Sequence, residues 1–339
     1  MDSFRKKSNG PRERLISLNG AYAGALGINI ERDYVSIGIC DIQNKTIKST
    51  YKKVSDFSRD TGCFLSKIAD MALGLLADAG PVKLLGCAVT IIGTVDQKEG
   101  LSVNSFGMIP KNTRLAEFFS GKLDMPVWIE NNVRALAMAN YNYHSSAQEE
   151  SCVFLKYGQG IGSAIIIDSK LLQGSMNEAG EIGHTVVAGN NIPCECGKVG
   201  CLETLVREEA VLKSIPLERH PSLSALCAED RNNLEMDKVL QAVDQGDHAL
   251  LECFKSPMQY LAQAIANLYI LINPDIIILY GLAFQNQWIL EQLYGNLAQI
   301  LQSEKILSVL KMSRLESRKN YYGATDLVMR KFFEGGAFI

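Results

Sequence analysis

The chain has 339 residues, of which 47% are hydrophobic and 21% charged, with a formal net charge of −3 at pH 7. This composition is typical of a folded globular protein and gives no electrostatic basis for nucleic-acid binding by the whole chain. No apolar run approaches about 18 residues, so the sequence predicts no membrane span. The length exceeds that at which a single hydrophobic core stops growing, so we expect two domains.

Residues 1–24 are predicted to form a basic tail and connector. Five cations lie within the first fourteen residues, but no apolar segment typical of a secretory signal accompanies them, so we expect a cytoplasmic protein. These cations fit either a solvated tail or a binding arm.

Residues 25–128 are predicted to form an α/β lobe. Strands are expected in GALGINI, YVSIGICDI and TIKSTYKKV, followed by a helix over Phe64–Leu76 and a buried strand ending near Gly93. A further helix at Leu115–Phe119 precedes a strand at Pro126–Ile129. The lobe is expected to be completed by a C-terminal helix within about residues 312–339.

Residues 129–311 repeat this order in coarse form. Two strands, SCVFLKYG and SAIIID, flank a glycine-rich turn, and helical segments at Leu202–Lys213 and Met258–Leu271 precede a strand at Asp275–Leu279. The repetition predicts a duplicated α/β fold of two lobes, with a ligand in the interdomain cleft.

A cluster of potential metal ligands lies in the second half. Cys194, Cys196 and Cys201 have the spacing C-x-C-x4-C, and His184 precedes them. Three thiolates and one imidazole complete a tetrahedral Zn²⁺ site. Disulfide bonds or simple burial of the thiols are the alternatives, but a reducing compartment favours a metal, so we predict structural zinc. The other six cysteines are scattered singly and are predicted to be core residues.

Two glutamates, Glu181 and Glu203, lie beside this cluster. A Cys3His ligand set is complete without a carboxylate, so a separate role is predicted for them. Carboxylates accept hydrogen bonds from hydroxyl groups, and a sugar offers such groups.

The ordered motifs of this chain resemble those of the ROK family (repressor, open reading frame, kinase), which has the actin-like, ribonuclease H-like ATPase fold. One glycine-rich turn alone would be weak evidence, but the set in this order is specific. The resemblance covers nearly all of the chain from about Leu15 onward. The matching segments are Ile129-Glu130-Asn131, Gly158-Gln159-Gly160-Ile161-Gly162, Glu181-Ile182-Gly183-His184, the cysteine motif up to Glu203, and Asn273-Pro274-Asp275 with Gly281.

The resemblance implies a sugar pocket. By the family pattern, Glu181 and Glu203 hold hydroxyls near the anomeric end, His184 touches a hydroxyl as well as zinc, and Asn131 contacts hydroxyls farther round the ring. Asn104 is a further candidate, although asparagine is also a preferred turn residue.

Departures from the family pattern argue against phosphoryl transfer. The catalytic Asp of the kinases follows the Glu-Asn pair, where this chain has Asn132, whose amide can bind a sugar hydroxyl but cannot act as a general base. Asn29 stands where the kinases have an Asp that supports metal and phosphate, and Glu31 and Arg32 replace glycines. ATP and Mg²⁺ are therefore not expected as cofactors. The resemblance leaves a degenerate nucleotide site formed by Asn29, Gly158, Gly160, Gly162 and Gly281, with Tyr280 in place of a glycine.

The start of the chain is similar to ROK regulators. The stretch Gly10–Asn19 resembles the connector that follows their winged helix-turn-helix, a motif of about sixty to eighty residues, and about ten residues precede it here. Direct DNA binding by this chain alone is therefore not expected.

These observations lead to one main hypothesis and two alternatives. The main hypothesis is a non-catalytic, pseudokinase-like effector module of a transcriptional regulator, which binds a sugar or amino sugar and assembles as a homodimer or homotetramer, without a membrane partner. One alternative is an ATP-dependent hexose or N-acetylhexosamine kinase with a degenerate active site. The other is a partner-binding pseudoenzyme with a dead pocket.

Overall fold

The computed structural model describes residues 19–144, 150–315 and 319–334. Residues 1–18 of the predicted basic tail and connector (1–24) lie outside the described residues. The strands are β1 (Gly24–Ile30), β2 (Tyr34–Asp41), β3 (Thr46–Lys53), β4 (Leu84–Ile91), β5 (Thr94–Asp96), β6 (Leu101–Asn104), β7 (Val127–Asn131), β8 (Cys152–Tyr157), β9 (Ile161–Ile167), β10 (Lys170–Leu171), β11 (Ile276–Tyr280) and β12 (Leu310–Met312). The helices are α1 (Thr61–Ala79), α2 (Leu115–Leu123), α3 (Asn132–His144), α4 (Glu203–Val206), α5 (Glu208–Ser214), α6 (Pro221–Leu226), α7 (Met236–Asp244), α8 (Lys255–Ile272), α9 (Gln287–Leu301), α10 (Lys305–Val309) and α11 (Tyr321–Glu334).

Two five-stranded sheets organise the described residues. Their orders are β3-β2-β1-β4-β7 and β10-β9-β8-β11-β12. In each sheet the first three strands pair antiparallel and the last three pair parallel. The two halves therefore share one topology, as the repeated order of elements predicted.

Helices cover the central strands of the first sheet. All seven residues of β1 are buried, because α1 packs on one side of the sheet and α11 on the other. A Cβ at Gly38 would lie 2.2 Å from the ring of Tyr321, so the glycine allows α11 to lie directly on β2. The chain thus returns to the first sheet at its C-terminal end.

The second sheet carries the larger apolar cluster, built mainly with α8 and α9. None of the helices in the described ranges combines the length and apolar character that a membrane span requires. Cys63, predicted to be a core residue, is exposed in the first turn of α1, so that prediction was wrong.

The helical segment predicted over Leu202–Lys213 is interrupted. Arg207 has an extended backbone, with φ −59° and ψ 152°, and separates α4 from α5. Its side chain forms an ion pair with Glu195 at 3.2 Å. The break also lets the N–H of Glu208 donate to the carbonyl of Gly158 at 2.9 Å. These contacts outweigh the helical periodicity of the segment.

Candidate functional site

His184, Cys194, Cys196 and Cys201 converge in the loops after β10. Their ligand atoms all lie within 4.8 Å of one another. His184 Nδ1 is 3.6 Å from Cys194 Sγ, and Cys196 Sγ is 3.6 Å from Cys201 Sγ. Two thiolates on one tetrahedral Zn²⁺ would be roughly 3.8 Å apart, whereas a disulfide requires about 2.05 Å. The arrangement therefore fits a shared metal ion and not a disulfide.

Glycines allow this loop to turn tightly. The N–H of Gly197 donates to the carbonyl of Cys194 at 2.9 Å, and Gly197 and Gly200 have φ values of 90° and 88°. A Cβ at Gly200 would also lie 2.7 Å from the carbonyl oxygen of Asn190. Because side chains disfavour positive φ, glycine is required at both positions.

A cavity between the two sheets is lined by five of the residues predicted to contact a sugar, namely Asn131, Asn132, Glu181, His184 and Glu203. Asn104 is not one of the residues that line it. The Oδ1 of Asn104 instead accepts a hydrogen bond from the N–H of Phe106 at 3.1 Å, as a turn residue does.

His184 connects this cavity to the cysteine cluster. Its Nδ1 faces Cys194, while its Nε2 lies 4.0 Å from Glu181 Oε2. A metal on Nδ1 would fix the ring orientation, because the opposite nitrogen then has a defined direction. The two predicted functions of His184 are therefore geometrically compatible.

Glu203 is held against the start of β9. Its Oε2 accepts a hydrogen bond from the N–H of Ile161 at 3.0 Å, and a Cβ at Gly160 would lie 2.8 Å from the same oxygen. A Cβ at Gly162 would lie 2.7 Å from Val133. Gly160 and Gly162, predicted to belong to a nucleotide site, thus line the first cavity, where their lack of side chains permits these close approaches.

Asn131 and Asn132 occupy the junction of β7 and α3. The Oδ1 of Asn131 accepts hydrogen bonds from the N–H groups of Val133 and Arg134 at 2.9 and 3.1 Å, and its Nδ2 donates to Gly93. Asn131 therefore caps α3 and keeps only part of its hydrogen-bonding capacity for a ligand. Asn132 is buried in the same wall and offers an amide, not a proton-accepting carboxylate.

A second cavity, of about 220 Å³, adjoins the first. It is lined by Gly158, Gly281 and Tyr280, three of the positions that the family resemblance associates with nucleotide. Glu31 and Lys156 line both cavities, so these two side chains lie on the boundary between them.

Glu31 and Lys156 form a buried ion pair across the cleft. Lys156 Nζ lies 2.5 Å from Glu31 Oε2, with side-chain exposures of 12% and 7%. Burial opposes ionisation of Glu31, but Lys156 and hydrogen bonds from Asn29 and Asn320 hold its pKa below the ordinary value. Asn29 lines neither cavity, and its Nδ2 donates a hydrogen bond to Glu31 Oε1 at 3.1 Å. The lone lysine in the apolar strand CVFLKY was the sequence feature that could have predicted this pair.

Arg32 and Phe106, both from the first half of the chain, also line the first cavity. Arg32 forms an ion pair with Glu195, between the first two cysteines, and its guanidinium lies 5.8 Å from the centre of the Phe106 ring. The Phe106 ring is in turn 5.5 Å from the ring of His184. The sequence motifs did not identify Phe106, because a single aromatic residue in a loop has no distinctive pattern.

The family model for ROK proteins matches residues 25–331. The chain belongs to the ROK family. The xylose repressor of Caldicellulosiruptor bescii is 24% identical over 332 residues, which cover 96% of this chain and 83% of that repressor.

Two solved ROK structures show the same fold. A glucokinase from Streptomyces griseus, in complex with glucose and AMPPNP, has a TM-score of 0.77 at 20% identity and covers 90% of this chain and 99% of its own. A transcriptional regulator, a homologue of the E. coli MLC protein, has a TM-score of 0.73 at 22% identity and covers 94% of this chain and 80% of its own. The predicted family and the actin-like ATPase fold are therefore confirmed. Since relatives include both kinases and regulators, the choice between these functions depends on the site itself.

Proposed function

We propose that this chain is the sugar-responsive module of a transcriptional regulator, which binds a sugar or amino sugar without phosphorylating it. The observation that carries the proposal is the amide of Asn132 in a cavity that retains Glu181, Glu203 and His184. Hydroxyl recognition is preserved there, whereas the general base that phosphoryl transfer requires is replaced.

The boundary between the two cavities supports the same proposal. A donor in the 220 Å³ cavity would have to deliver its phosphoryl group past Glu31 and Lys156. Catalysts of this reaction surround the transferred group with positive charge, whereas here the Glu31 carboxylate neutralises Lys156, the cation at this boundary. Both the base and the electrostatic environment therefore favour binding without turnover.

A structural Zn²⁺ held by His184, Cys194, Cys196 and Cys201 is part of the proposal. The ion would fold the loop and orient the His184 ring towards a bound hydroxyl. It contributes no step of chemistry. A reducing compartment such as the cytoplasm would keep the three thiols available to the metal.

Sugar binding would act by favouring closure of the two lobes over the cavity. Its effect equals the difference in sugar affinity between the open and closed arrangements. In a homodimer or homotetramer, this closure would change how the subunits are arranged. Light scattering with and without sugar measures this part of the proposal.

Thermal unfolding with a panel of pentoses, hexoses and N-acetylhexosamines tests the proposal. Xylose belongs in the panel because the similar C. bescii protein is named a xylose repressor. A sugar at about 100 times its Kd should add about 2.7 kcal/mol to the stability of the chain. We expect this gain in the wild type and in a surface control, Glu99→Gln, and its loss in Glu203→Gln.

A phosphorylation assay with ATP and Mg²⁺ on the same panel distinguishes the alternatives. Sugar-dependent ATP turnover that Glu203→Gln abolishes would establish a kinase and exclude the proposal. No thermal shift with any sugar would instead favour a partner-binding pseudoenzyme.

A further inference from the structure

The cavity beside Tyr280 has an excess of acidic side chains. Its lining contains five carboxyl groups and two lysines: Glu31, Asp33, Glu208, Glu235 and Asp237 against Lys53 and Lys156. Both lysines are already in ion pairs, Lys156 with Glu31 and Lys53 with Glu235. The cavity therefore has a negative potential, which repels a nucleoside triphosphate and attracts a cation.

Glu208 is the least compensated of these groups. It is 8% exposed and lines the cavity, and its side chain has no hydrogen-bond or ion-pair partner among the residues that the structure describes. Burial, with Asp33 and Glu31 nearby, raises its pKa to about 8. A carboxyl group buried without a partner lowers stability, and a cleft residue perturbed in this way is a candidate for ligand binding.

Aromatic rings complete the lining. Tyr34, Tyr51, Tyr157 and Tyr280 all line this cavity. The hydroxyl of Tyr157 is buried and has no hydrogen-bond partner within the described ranges. Tyrosine rings attract organic cations through their π faces, whereas a hydrated metal ion gains little from them. The combination of carboxylates and tyrosines therefore favours an organic cation over Mg²⁺.

We infer that this cavity binds a small organic cation that carries a primary ammonium group, with Glu208 as its counter-charge. The cavity volume of about 220 Å³ equals that of roughly seven water molecules at about 30 Å³ each, which is enough for a chain of six non-hydrogen atoms. The ion pair of Lys53 with Glu235 joins the end of β3 to the start of α7 beside this cavity. A bound cation would therefore contact both halves of the protein.

Titration calorimetry and thermal unfolding with 1,4-diaminobutane test this inference on the full chain at pH 8.5, where Glu208 is mostly ionised. At about 100 times its Kd the diamine should raise the unfolding temperature by about 3–6 °C. Glu208→Gln should weaken the calorimetric Kd at least tenfold, while the surface control Glu99→Gln should leave it unchanged. Because Glu208→Gln removes a buried charge, we expect this variant to fold.

Several outcomes would overturn the inference. The inference fails if the diamine does not stabilise the protein, or if it binds Glu208→Gln as tightly as the wild type. It also fails if NaCl at matched ionic strength stabilises the protein as much as the diamine does, or if ATP with Mg²⁺ stabilises it more. Sugar binding is measured separately and does not require the diamine. Failure of one proposal therefore leaves the other testable.

Discussion

Replacing Lys156 with methionine is predicted to destabilise the protein strongly, because it removes one partner of a buried ion pair. Glu31 would keep its burial and its hydrogen bonds from Asn29 and Asn320 but lose its counter-charge. Breaking a buried pair in this way costs about 3–5 kcal/mol. Lys213→Met is the matched control, because Lys213 pairs with Glu209 on the surface, where such pairs contribute about 0–1 kcal/mol.

A double-mutant cycle separates the ion pair from simple loss of packing. The double variant Glu31→Gln with Lys156→Met removes both charges and should be more stable than Lys156→Met alone. We expect an interaction energy of at least about 1 kcal/mol, within the range for residues in contact. Chemical denaturation at pH 7, followed by tryptophan fluorescence and circular dichroism, measures each free energy of unfolding.

The pH dependence gives a second readout. The pKa of Glu31 is lowered in the folded protein, so its contribution to stability is present above about pH 4.5 and is lost as the pH falls through the folded pKa. In Lys156→Met the carboxyl group is buried without a counter-charge, so the loss of stability in this variant should be largest at pH 7 and shrink towards pH 4. A loss below about 1 kcal/mol, equal to that of Lys213→Met and independent of pH, would refute the buried pair.

Three further predictions concern the metal, the second cavity and the catalytic position. Cys201→Ser, or treatment with a chelator, should release about one Zn²⁺ per chain, lower the unfolding temperature and weaken sugar binding. Cys63→Ser should have none of these effects, and metal analysis with thermal unfolding in the presence and absence of sugar measures them in both variants. Glu208→Gln should be more stable than the wild type above pH 8, by at most about 5 kcal/mol, and the difference should vanish near pH 4.5. The folded pKa of Glu208, about 8, exceeds the ordinary value of 4.5, so the stability of the wild type falls as the pH rises from 4.5 to 8. Asn132→Asp should not restore ATP-dependent phosphorylation, because Glu31 still lies between the cavities; turnover above the wild-type background would contradict this.

The fold and family were predictable from the sequence because both depend on patterns of residues that are close together in the chain. Apolar periodicity located the strands and most helices, and the C-x-C-x4-C spacing identified the cysteine cluster. These features depend on residues close together in the chain. The same reasoning brought together Glu181, His184 and Glu203, because the family motifs are contiguous segments.

Contacts between distant segments were not predictable in this way. Glu31 meets Lys156 only because β1 and β8 end at the same cleft, and no local pattern links the two residues. Gly160 is a second example: its place in a glycine-rich turn suggested a phosphate site, but the turn alone did not predict that it also makes room for Glu203. Residue type indicates what a position can do, but the partner that uses it depends on the tertiary fold.

Ion pairs between the two halves bear on both the proposed absence of catalysis and the proposed closure. Arg32–Glu195 and Lys53–Glu235 also join the two halves, but their side chains are 28–58% exposed, so each contributes about 0–1 kcal/mol. Breaking the buried pair of Glu31 and Lys156 costs several times more. That pair lies on the boundary between the two cavities, so the contact proposed to obstruct transfer would also resist separation of the lobes. The proposed sensor therefore needs a sugar whose own contacts add to this pair, because a sugar shifts the lobes only by the difference in its affinity for the open and closed arrangements.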